Sequence, residues 1–294
     1  MKTLVIGSKN FGKKNNPVIF AQNLNADIYY FEDLVFDISR NDVKIFAGEK
    51  NILTEGYELA ICLGWYKNGK KSHYRDIAYS LAKALEANGI KYWNSEMGMQ
   101  RSTTKLSQMM IMALNDIQMP KTLFSLTDNL ILARLQDNQK YIVKAAAASR
   151  GKSNYLLDSK NTIKDVLSTP DTIFLVQEFI PNDHDLRVIC FGGEPKLALK
   201  RSRTSEETHL NNTSQGASAE WIEIPEDLKE PARKISKLLG RDMGGIDFIE
   251  SVDLDNSSRL CYCLEVNAIP QLTSGTDVER KMAALIETVN GTEK

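Results

Sequence analysis

Apolar positions in the first third of the chain alternate between strand-like and helix-like spacing. Residues 2–7 form a short apolar run, and a helix is predicted over 17–24 because Pro17 is well placed for a first helical turn. Apolar residues recur at helical spacing between Ile77 and Leu85, and this stretch ends at Gly89, a residue typical of helix C-termini. Further strand-like runs lie at 28–31, 43–46, 59–63 and 90–93.

The rest of the chain continues this mixture. Helix-like spacing is found at 104–115, 129–136 and 226–239, and strand-like runs lie at 122–125, 141–144, 153–157, 173–179, 186–191 and 195–201. The pattern predicts an α/β chain. We expect three units, with boundaries at 1–94, 95–176 and 177–294.

Composition and charge narrow the function classes. The chain has 294 residues, of which 42% are hydrophobic and 26% are charged, as in an ordinary folded protein. The formal net charge of -1 gives no general reason to expect nucleic acid or an anionic membrane as a partner. No apolar run approaches the roughly 20 residues of a membrane span, and the N-terminus lacks the apolar core of a signal peptide. We therefore expect a cytoplasmic protein, and a homo-oligomer stays open because dimers are the commonest soluble assemblies.

The four cysteines occur in strand-like apolar surroundings. They are Cys62, Cys190, Cys261 and Cys263. The Cys-x-Cys pair lacks the second pair that a zinc site needs, so buried, reduced thiols are predicted.

Two runs near the C-terminus suggest a metal site. Asp247 lies in the run 245–250, and Glu265 and Asn267 lie in the run 264–270. Glu265 and Asn267 are two residues apart, so a strand would turn both side chains to one face. Three oxygen ligands on adjacent strands suit magnesium, which is usually shared with substrate phosphates. The alternative is a solvated hairpin with scattered acids.

A possible phosphate-binding loop at the N-terminus lacks one essential residue. Residues 7–14 follow a strand and partly match the pattern G-x-x-x-x-G-K-[ST]. Lys14 stands where a hydroxyl is needed to bind magnesium, so a flexible basic loop is favoured here.

Basic residues in the middle of the chain suggest phosphate binding. Lys144 ends an apolar strand before a loop of small residues, 145–152, whose backbone N–H groups could approach phosphate oxygens. Arg187 and Arg201 end up side by side if their strands pair, which would concentrate positive charge for phosphoryl transfer. The alternatives are an exposed lysine at a strand end and a solvated basic sheet edge.

Taken in order, these residues resemble the ATP-grasp superfamily, within it the branch of the ribosomal-protein glutamate ligases and the glutathione-synthetase-like enzymes. The resemblance covers nearly the whole chain and is most specific from Lys105 to Pro270. The matching set is Lys105, Lys144, Gln177-Glu178-Phe179-Ile180, Asp185-x-Arg187, Arg201, Asn212, Gly245-Ile246-Asp247 and Glu265-x-Asn267-x-x-Pro270.

The resemblance implies an ATP-grasp fold, with a small N-terminal α/β domain and two α+β lobes that clasp ATP. It places Lys105, Lys144 and the loop with Ser149 and Gly151 on the phosphates. The nucleotide set also includes Glu178, Phe179 and Ile180 at the adenine, Asp185 near the ribose, and Asn212. Arg187 and Arg201 are the expected catalytic residues at the terminal phosphates, and Asp247, Glu265 and Asn267 are the expected ligands of two magnesium ions, with manganese as an alternative. Cys261 and Cys263 share the parity of Glu265, which predicts that they line the same face.

The chain departs from the family pattern in two places. Ala145 and Ala148 replace residues that are often Pro and Gly in the phosphate loop. Leu210 and Gln215 stand where the glutamate ligases typically carry arginines, so a polyglutamate-type acceptor is not favoured. Arg203, His209 and Ser214 remain candidate substrate contacts.

The implied reaction is ATP-dependent formation of an amide through an acyl phosphate, from small-molecule or peptide carboxylate and amine substrates. Two alternatives remain open. An ATP-grasp kinase would phosphorylate a hydroxyl with the same lysines and metal ligands, and a scaffold would bind ATP without turnover.

Overall fold

The computed structural model describes residues 1–9, 16–63, 71–94, 105–146, 154–203, 218–252, 259–267 and 270–291. These residues form sixteen strands and seven helices. The strands are β1 (Thr3–Gly7), β2 (Asp27–Tyr30), β3 (Leu34–Ser39), β4 (Asp42–Ala47), β5 (Lys50–Asn51), β6 (Leu59–Cys62), β7 (Lys91–Trp93), β8 (Thr122–Leu123), β9 (Tyr141–Ala145), β10 (Asn154–Leu157), β11 (Phe174–Glu178), β12 (His184–Phe191), β13 (Glu194–Ser202), β14 (Ser218–Ile222), β15 (Gly244–Val252) and β16 (Arg259–Asn267). The helices are α1 (Pro17–Leu24), α2 (Lys71–Ala87), α3 (Lys105–Ala113), α4 (Asp128–Leu132), α5 (Lys160–Leu167), α6 (Glu226–Leu239) and α7 (Val278–Gly291). None of the described helices is long and apolar enough to cross a membrane.

The first sheet has four parallel strands in the order β2-β1-β6-β7. Every residue of β1 and β6 is buried, as expected of a parallel sheet that is covered on both faces. Leu4 and Ile6 pack in a core with Leu81 and Leu85 of α2. Val5 belongs to a separate core on the other face. A small antiparallel sheet, β3-β4-β5, extends the first of these cores.

Gly7, the first residue of the possible phosphate-binding loop, has a packing role. A Cβ atom on Gly7 would lie 2.7 Å from Cγ of Pro17. The glycine therefore lets α1 begin directly against the end of β1. The N–H of Lys9 donates to the carboxylate of Glu32 at 3.1 Å, and residues 10–15 lie outside the described part of the chain. Helix packing accounts for the glycine without a bound phosphate.

The second sheet is antiparallel and has the order β10-β9-β11-β8. Val143 of β9 and Val176 of β11 pack against residues of α4 and α5. Side chains alternate along a strand, so Lys144 and Gln177 project from the opposite face. Both are buried, which shows that this polar face is also covered.

The third sheet is antiparallel and has the order β14-β13-β12-β15-β16. One of its faces packs against α3 and α6. The buried residues of α6 include Leu228, Ala232, Ile235 and Leu239, a spacing that places them on one side of a helix. The helix ends at Gly240, whose φ of 61° is left-handed and favours glycine.

The opposite face of the third sheet is apolar at one end and charged at the other. Along β12, Ile189 and Phe191 pack in a core that also contains residues of β1 and α7. Asp185 and Arg187 follow the same alternation and project from the same face, beyond this core. The charged end of the sheet is where the residues predicted to bind ATP come together.

A β-bulge changes the expected orientation of the cysteines. The sequence predicts that Cys261 and Cys263 share a face with Glu265, and this prediction is wrong. Asp247 pairs with Glu265, but Phe248 pairs with Cys263, so β16 contains one extra residue between these pairs. Cys263 therefore joins the core under α6, with Cys261 packed against that core, while Glu265 keeps the face of Asp247.

The thiols are expected to react slowly in the folded protein. Cys62, Cys190 and Cys263 are buried and Cys261 is half-buried, and none is in a disulfide. Burial raises the pKa of Cys190 to about 12 and that of Cys261 to about 11, so few thiolates form near neutral pH. Alkylation followed by mass spectrometry should modify Cys261 first in the native protein and all four thiols in urea. Rapid labelling of all four without denaturant would contradict this burial.

Polar contacts join the first unit to the third sheet. The N–H of Asn94 donates to Oδ2 of Asp242 at 2.7 Å, and the N–H of Met243 donates to Oδ1 of Asn94 at 2.8 Å. Helix α3, which the sequence assigns to the central unit, packs on the third sheet. The unit boundaries at 95 and 177 remain predictions. Packing contacts cross the first boundary, and β11 contains residues from both sides of the second.

Candidate active site

Six of the predicted site residues lie on one face of the third sheet. Arg187 of β12 pairs with Asp247 of β15, and Asp247 pairs in turn with Glu265 of β16. Directly opposed residues in antiparallel strands project from the same face. Asn267 lies two residues after Glu265 and joins them. Strand pairing thus brings together the three residues predicted to bind metal.

Asp185 and Arg201 extend this row to the neighbouring strand. They oppose each other on β12 and β13. The sequence suggests that Arg187 and Arg201 lie side by side, but the register places Leu199 opposite Arg187. The two arginines are therefore diagonal neighbours, and both reach Asp247.

The arginines and aspartates form a buried ion network. Arg187 donates from Nε to Oδ1 and from Nη2 to Oδ2 of Asp247, both at 2.6 Å. Arg201 donates from Nε to Oδ1 of Asp185 at 2.5 Å, and its Nη2 lies 3.2 Å from Oδ1 of Asp247. Arg201, Asp185 and Asp247 are only 3%, 6% and 4% exposed. Because these side chains are buried, the stability of each charge depends on its oppositely charged partners.

The network sets the ionisation of both aspartates. Burial alone would raise the pKa of Asp247, but the guanidinium groups of Arg187 and Arg201 outweigh it and hold this pKa below its ordinary value. Burial raises the pKa of Asp185 to about 6, although Arg201 opposes the rise. Asp247 is thus ionised at neutral pH, as a metal ligand must be. Asp185 is bound to Arg201. A contact between Asp185 and the ribose of ATP remains a prediction.

Helix α3 places Lys105 next to Glu265 of β16. The N–H of Val266, on the outer edge of β16, donates to Oε1 of Gln108 at 3.2 Å. This bond occupies a backbone donor on an edge strand and fixes α3 beside the strand. Nζ of Lys105 lies 3.8 Å from the carboxylate of Glu265. The sequence gave no reason to single out Gln108, whose role comes from the edge position of β16.

Lys144 projects from the second sheet and is held by a neutral partner. Its Nζ donates to Oε1 of Gln177 at 2.8 Å. Burial lowers the pKa of Lys144 to about 8, the charge of Glu265 opposes the shift, and that of Lys105 adds to it. Nζ of Lys105 donates to the carbonyl of Ala145 at 3.4 Å, so the end of β9 that carries Lys144 lies beside the side chain that contacts Glu265.

The segment predicted to bind adenine begins at Glu178, the last residue of β11. The N–H of Glu178 donates to the carbonyl of Lys121 at 2.9 Å, and the N–H of Phe179 donates to the carbonyl of Lys140 at 3.0 Å. The carboxylate of Glu178 accepts from the N–H of Lys121 at 2.7 Å. These bonds hold the strand end between two neighbouring segments. Ile180 follows directly, and the contact of all three residues with adenine remains a prediction.

Lys281 on α7 is a charged residue near the site that the sequence did not indicate. It is 5% exposed and donates to the carbonyls of Gln271 and Ser274, the latter at 3.0 Å. Burial lowers its pKa to about 8, with a smaller contribution from the nearby charge of Arg187, while the charge of Asp277 opposes the shift. A lysine on a surface helix ordinarily lies in solvent, so no local signal reveals it.

The charges at this end of the sheet favour an anionic ligand. Among the described residues, the carboxylates of the cluster are Asp185, Asp247 and Glu265, and the cationic groups are Lys105, Lys144, Arg187, Arg201 and Lys281. An excess of positive charge in a partly buried cluster suits a polyphosphate.

The donor set fits a magnesium ion. Nδ2 of Asn267 lies 3.3 Å from Oδ2 of Asp247 and 3.4 Å from Oε1 of Glu265, so all three side chains meet at one point. Carboxylate and amide oxygens are hard ligands of the kind that magnesium binds. In the described part of the chain no cluster of three His, Cys, Asp or Glu residues forms a metal site of another type.

Several predicted contacts fall outside the described residues. They are Ser149, Gly151, Asn212, His209 and Ser214. Arg203 is half-buried at the end of β13. These assignments stay predictions.

Comparison with known proteins identifies the class to which this chain belongs. The family model of the RimK-like ATP-grasp domain matches residues 102–286, which is more than half of the chain. The chain therefore belongs to the RimK-like ATP-grasp family. The superfamily and fold class predicted from the sequence are confirmed.

Individual relatives agree with this assignment. The chain is 27% identical over 220 residues to a probable alpha-L-glutamate ligase of Parasynechococcus marenigrum (strain WH8102). That match covers 71% of this chain and 46% of the relative, so the chain spans about half the length of the curated protein.

Solved structures of ATP-grasp ligases share the fold. The ligase PsnB complexed with minimal precursor, Mg and ADP has a TM-score of 0.72 at 15% identity, covering 99% of this chain and 97% of that one. The macrocyclase MdnC from Microcystis aeruginosa MRC, bound with precursor peptide MdnA, has a TM-score of 0.67 at 13% identity, covering 99% of this chain and 100% of the other.

Proposed function

We propose that the chain is an ATP-dependent ligase that joins a carboxylate to an amine and releases ADP and phosphate. The observation that carries the proposal is the convergence of Lys105, and of the end of β9 that carries Lys144, with the row formed by Arg187, Asp247 and Glu265. Family membership and the glutamate ligase named among the relatives support it.

The cationic side chains position the phosphates and stabilise the charge that moves between them. The substrate carboxylate attacks the terminal phosphorus of ATP, the bond to ADP breaks, and an acyl phosphate forms. The amine then displaces phosphate and gives up a proton. Lys105 and Lys144 hold the phosphate chain, while Arg187 and Arg201 stabilise the transferring group, since such catalysis depends on positioning and electrostatics.

Asp247, Glu265 and Asn267 are the residues proposed to hold two magnesium ions, with manganese as an alternative. Bound ions would supply charge neutralisation and Lewis acidity at the phosphates. Both oxygens of Asp247 accept hydrogen bonds from Arg187. Nη2 of Arg201 and Nδ2 of Asn267 also lie near these oxygens, at 3.2 Å and 3.3 Å, so an ion that bound Asp247 would replace at least one of these contacts.

The proposed substrate classes are a small-molecule or peptide carboxylate and a small-molecule or peptide amine. The solved structures of PsnB and MdnC contain precursor peptides, which favours a peptide as one of the two. Leu210 and Gln215 stand where the glutamate ligases typically carry arginines. A glutamate-rich acceptor is therefore less favoured than an uncharged acceptor.

Hydroxylamine trapping tests the reaction class. With ATP, magnesium and a panel of peptide and small carboxylates, an acyl phosphate intermediate reacts with hydroxylamine, so we expect a hydroxamate to form together with ADP. ADP release on an alcohol acceptor, with no hydroxamate, would instead identify a kinase. Tight ATP binding without ADP release on any acceptor would favour the scaffold.

A further inference from the structure

We propose that Gln177 is a positioning residue that fixes the ammonium group of Lys144 toward the phosphates without neutralising its charge. The inference rests on the proposed function, since it deepens the account of the phosphate site. The sequence placed Gln177 within a matching motif and gave it no role.

A directional chain of hydrogen bonds fixes the orientation of the Gln177 amide. The hydroxyl of Thr122 donates to the carbonyl of Pro120 at 3.0 Å, so its oxygen is left to accept. Nε2 of Gln177 donates to that oxygen at 2.9 Å. The NH2 group must therefore face Thr122 and the carbonyl oxygen must face Lys144, because the reverse orientation would oppose two donors. The oxygen that accepts from Lys144 is thus oriented by Thr122 of the neighbouring strand β8.

Strand pairing makes this contact a fixed property of the second sheet. Leu175 is opposite Lys144, and Gln177 lies two residues further along β11. The side chains of Lys144 and Gln177 are therefore diagonal neighbours on one face, within reach of each other for long side chains. Gln177 is 2% exposed and Lys144 is 6% exposed, so water does not compete for the bond.

The amide of Gln177 is uncharged, and this determines its effect on Lys144. An amide oxygen satisfies one of the three donors of the ammonium and leaves its charge for another ligand. A carboxylate at the same place would form a buried ion pair and oppose phosphate binding. An apolar residue would leave a buried ammonium short of an acceptor, which favours its neutral form. Only a neutral acceptor of this length keeps Lys144 both placed and charged.

A double-mutant cycle tests whether Gln177 acts through Lys144. ADP, tripolyphosphate and adenosine are titrated into the full chain in the presence of magnesium by calorimetry. We expect Gln177→Glu and Gln177→Leu to weaken ADP and tripolyphosphate binding about tenfold, the size of one charge-assisted hydrogen bond, and to leave adenosine binding unchanged. In the Lys144→Met background neither change at Gln177 should cause further loss.

Thr122→Val is the milder second variant, because Thr122 is half-buried at the start of a short strand. It removes the hydroxyl that orients the amide, and we expect a smaller loss in the same phosphate-specific direction. Additive losses in the cycle, or equal losses for adenosine and ADP, overturn the role of Gln177 while leaving the ligase proposal intact. A wild-type chain that binds no adenine nucleotide overturns both proposals.

Discussion

Replacing Arg201 with alanine is expected to lower the free energy of unfolding by about 3–5 kcal/mol, the range found when one partner of a buried ion pair is removed. Arg201 is 3% exposed and contacts both Asp185 and Asp247. Without it, Asp185 keeps no cationic partner at hydrogen-bond distance among the described residues. Urea unfolding followed by circular dichroism measures the loss.

Arg187→Ala is the matched control. It removes two hydrogen bonds to Asp247, but Asp247 keeps its contact with Arg201. The side chain of Arg187 is also more exposed, at 18% against 4% for Arg201. We expect a loss of about 1.5–3 kcal/mol, typical of hydrogen bonds to a charged group. Equal destabilisation by the two substitutions would contradict the difference in burial.

The same burial decides how the proposed catalytic role of Arg201 should be tested. Loss of turnover in Arg201→Ala is difficult to separate from loss of folded protein. Arg201→Lys keeps a positive charge between the two aspartates and removes the planar fork that binds phosphate with two N–H groups. We expect Arg201→Lys to remain folded and to lower kcat far more than ATP affinity, because the contact acts on the transferring group.

The proximity of Asp247, Glu265 and Asn267 could be predicted because it depends on spacing within one strand and on the pairing of consecutive strands. Glu265 and Asn267 share a face through the period of a strand, and the pairing with Asp247 needs only that consecutive strands be neighbours. The structure has this pairing. Likewise, the helix predicted over 226–239 is α6, because its apolar residues follow a strong helical period.

The sequence could not reveal what depends on exact register and on distant segments. One extra residue in β16 turns Cys263 to the opposite face from Glu265, and a period of two cannot signal a bulge. The pairing of Asp185 with Arg201 depends on the stagger between β12 and β13. The burial of Lys281 depends on carbonyl groups from the preceding loop. Each of these is a tertiary effect that no local pattern encodes.

Glu265→Gln is expected to lower turnover by more than about a hundredfold, since even residues that only hydrogen-bond to a metal ligand cost 10- to 100-fold. The fold should be kept. The side chain of Glu265 is 35% exposed, and its ion pair with Lys105 is long, at 3.8 Å, so the amide loses little packing or charge pairing. A partly exposed pair of this kind contributes about 1 kcal/mol or less.

Glu250→Gln provides the comparison on the same sheet. Glu250 lies on β15 and contacts His184 and Arg259, outside the proposed ATP site. Its substitution should leave turnover and magnesium dependence unchanged. In Glu265→Gln, the magnesium concentration needed for half-maximal ADP binding should rise, and this can be followed without turnover by titrating the metal at fixed ADP. A normal magnesium requirement in folded Glu265→Gln would remove Glu265 from the metal site, because an amide cannot replace the charge of the carboxylate.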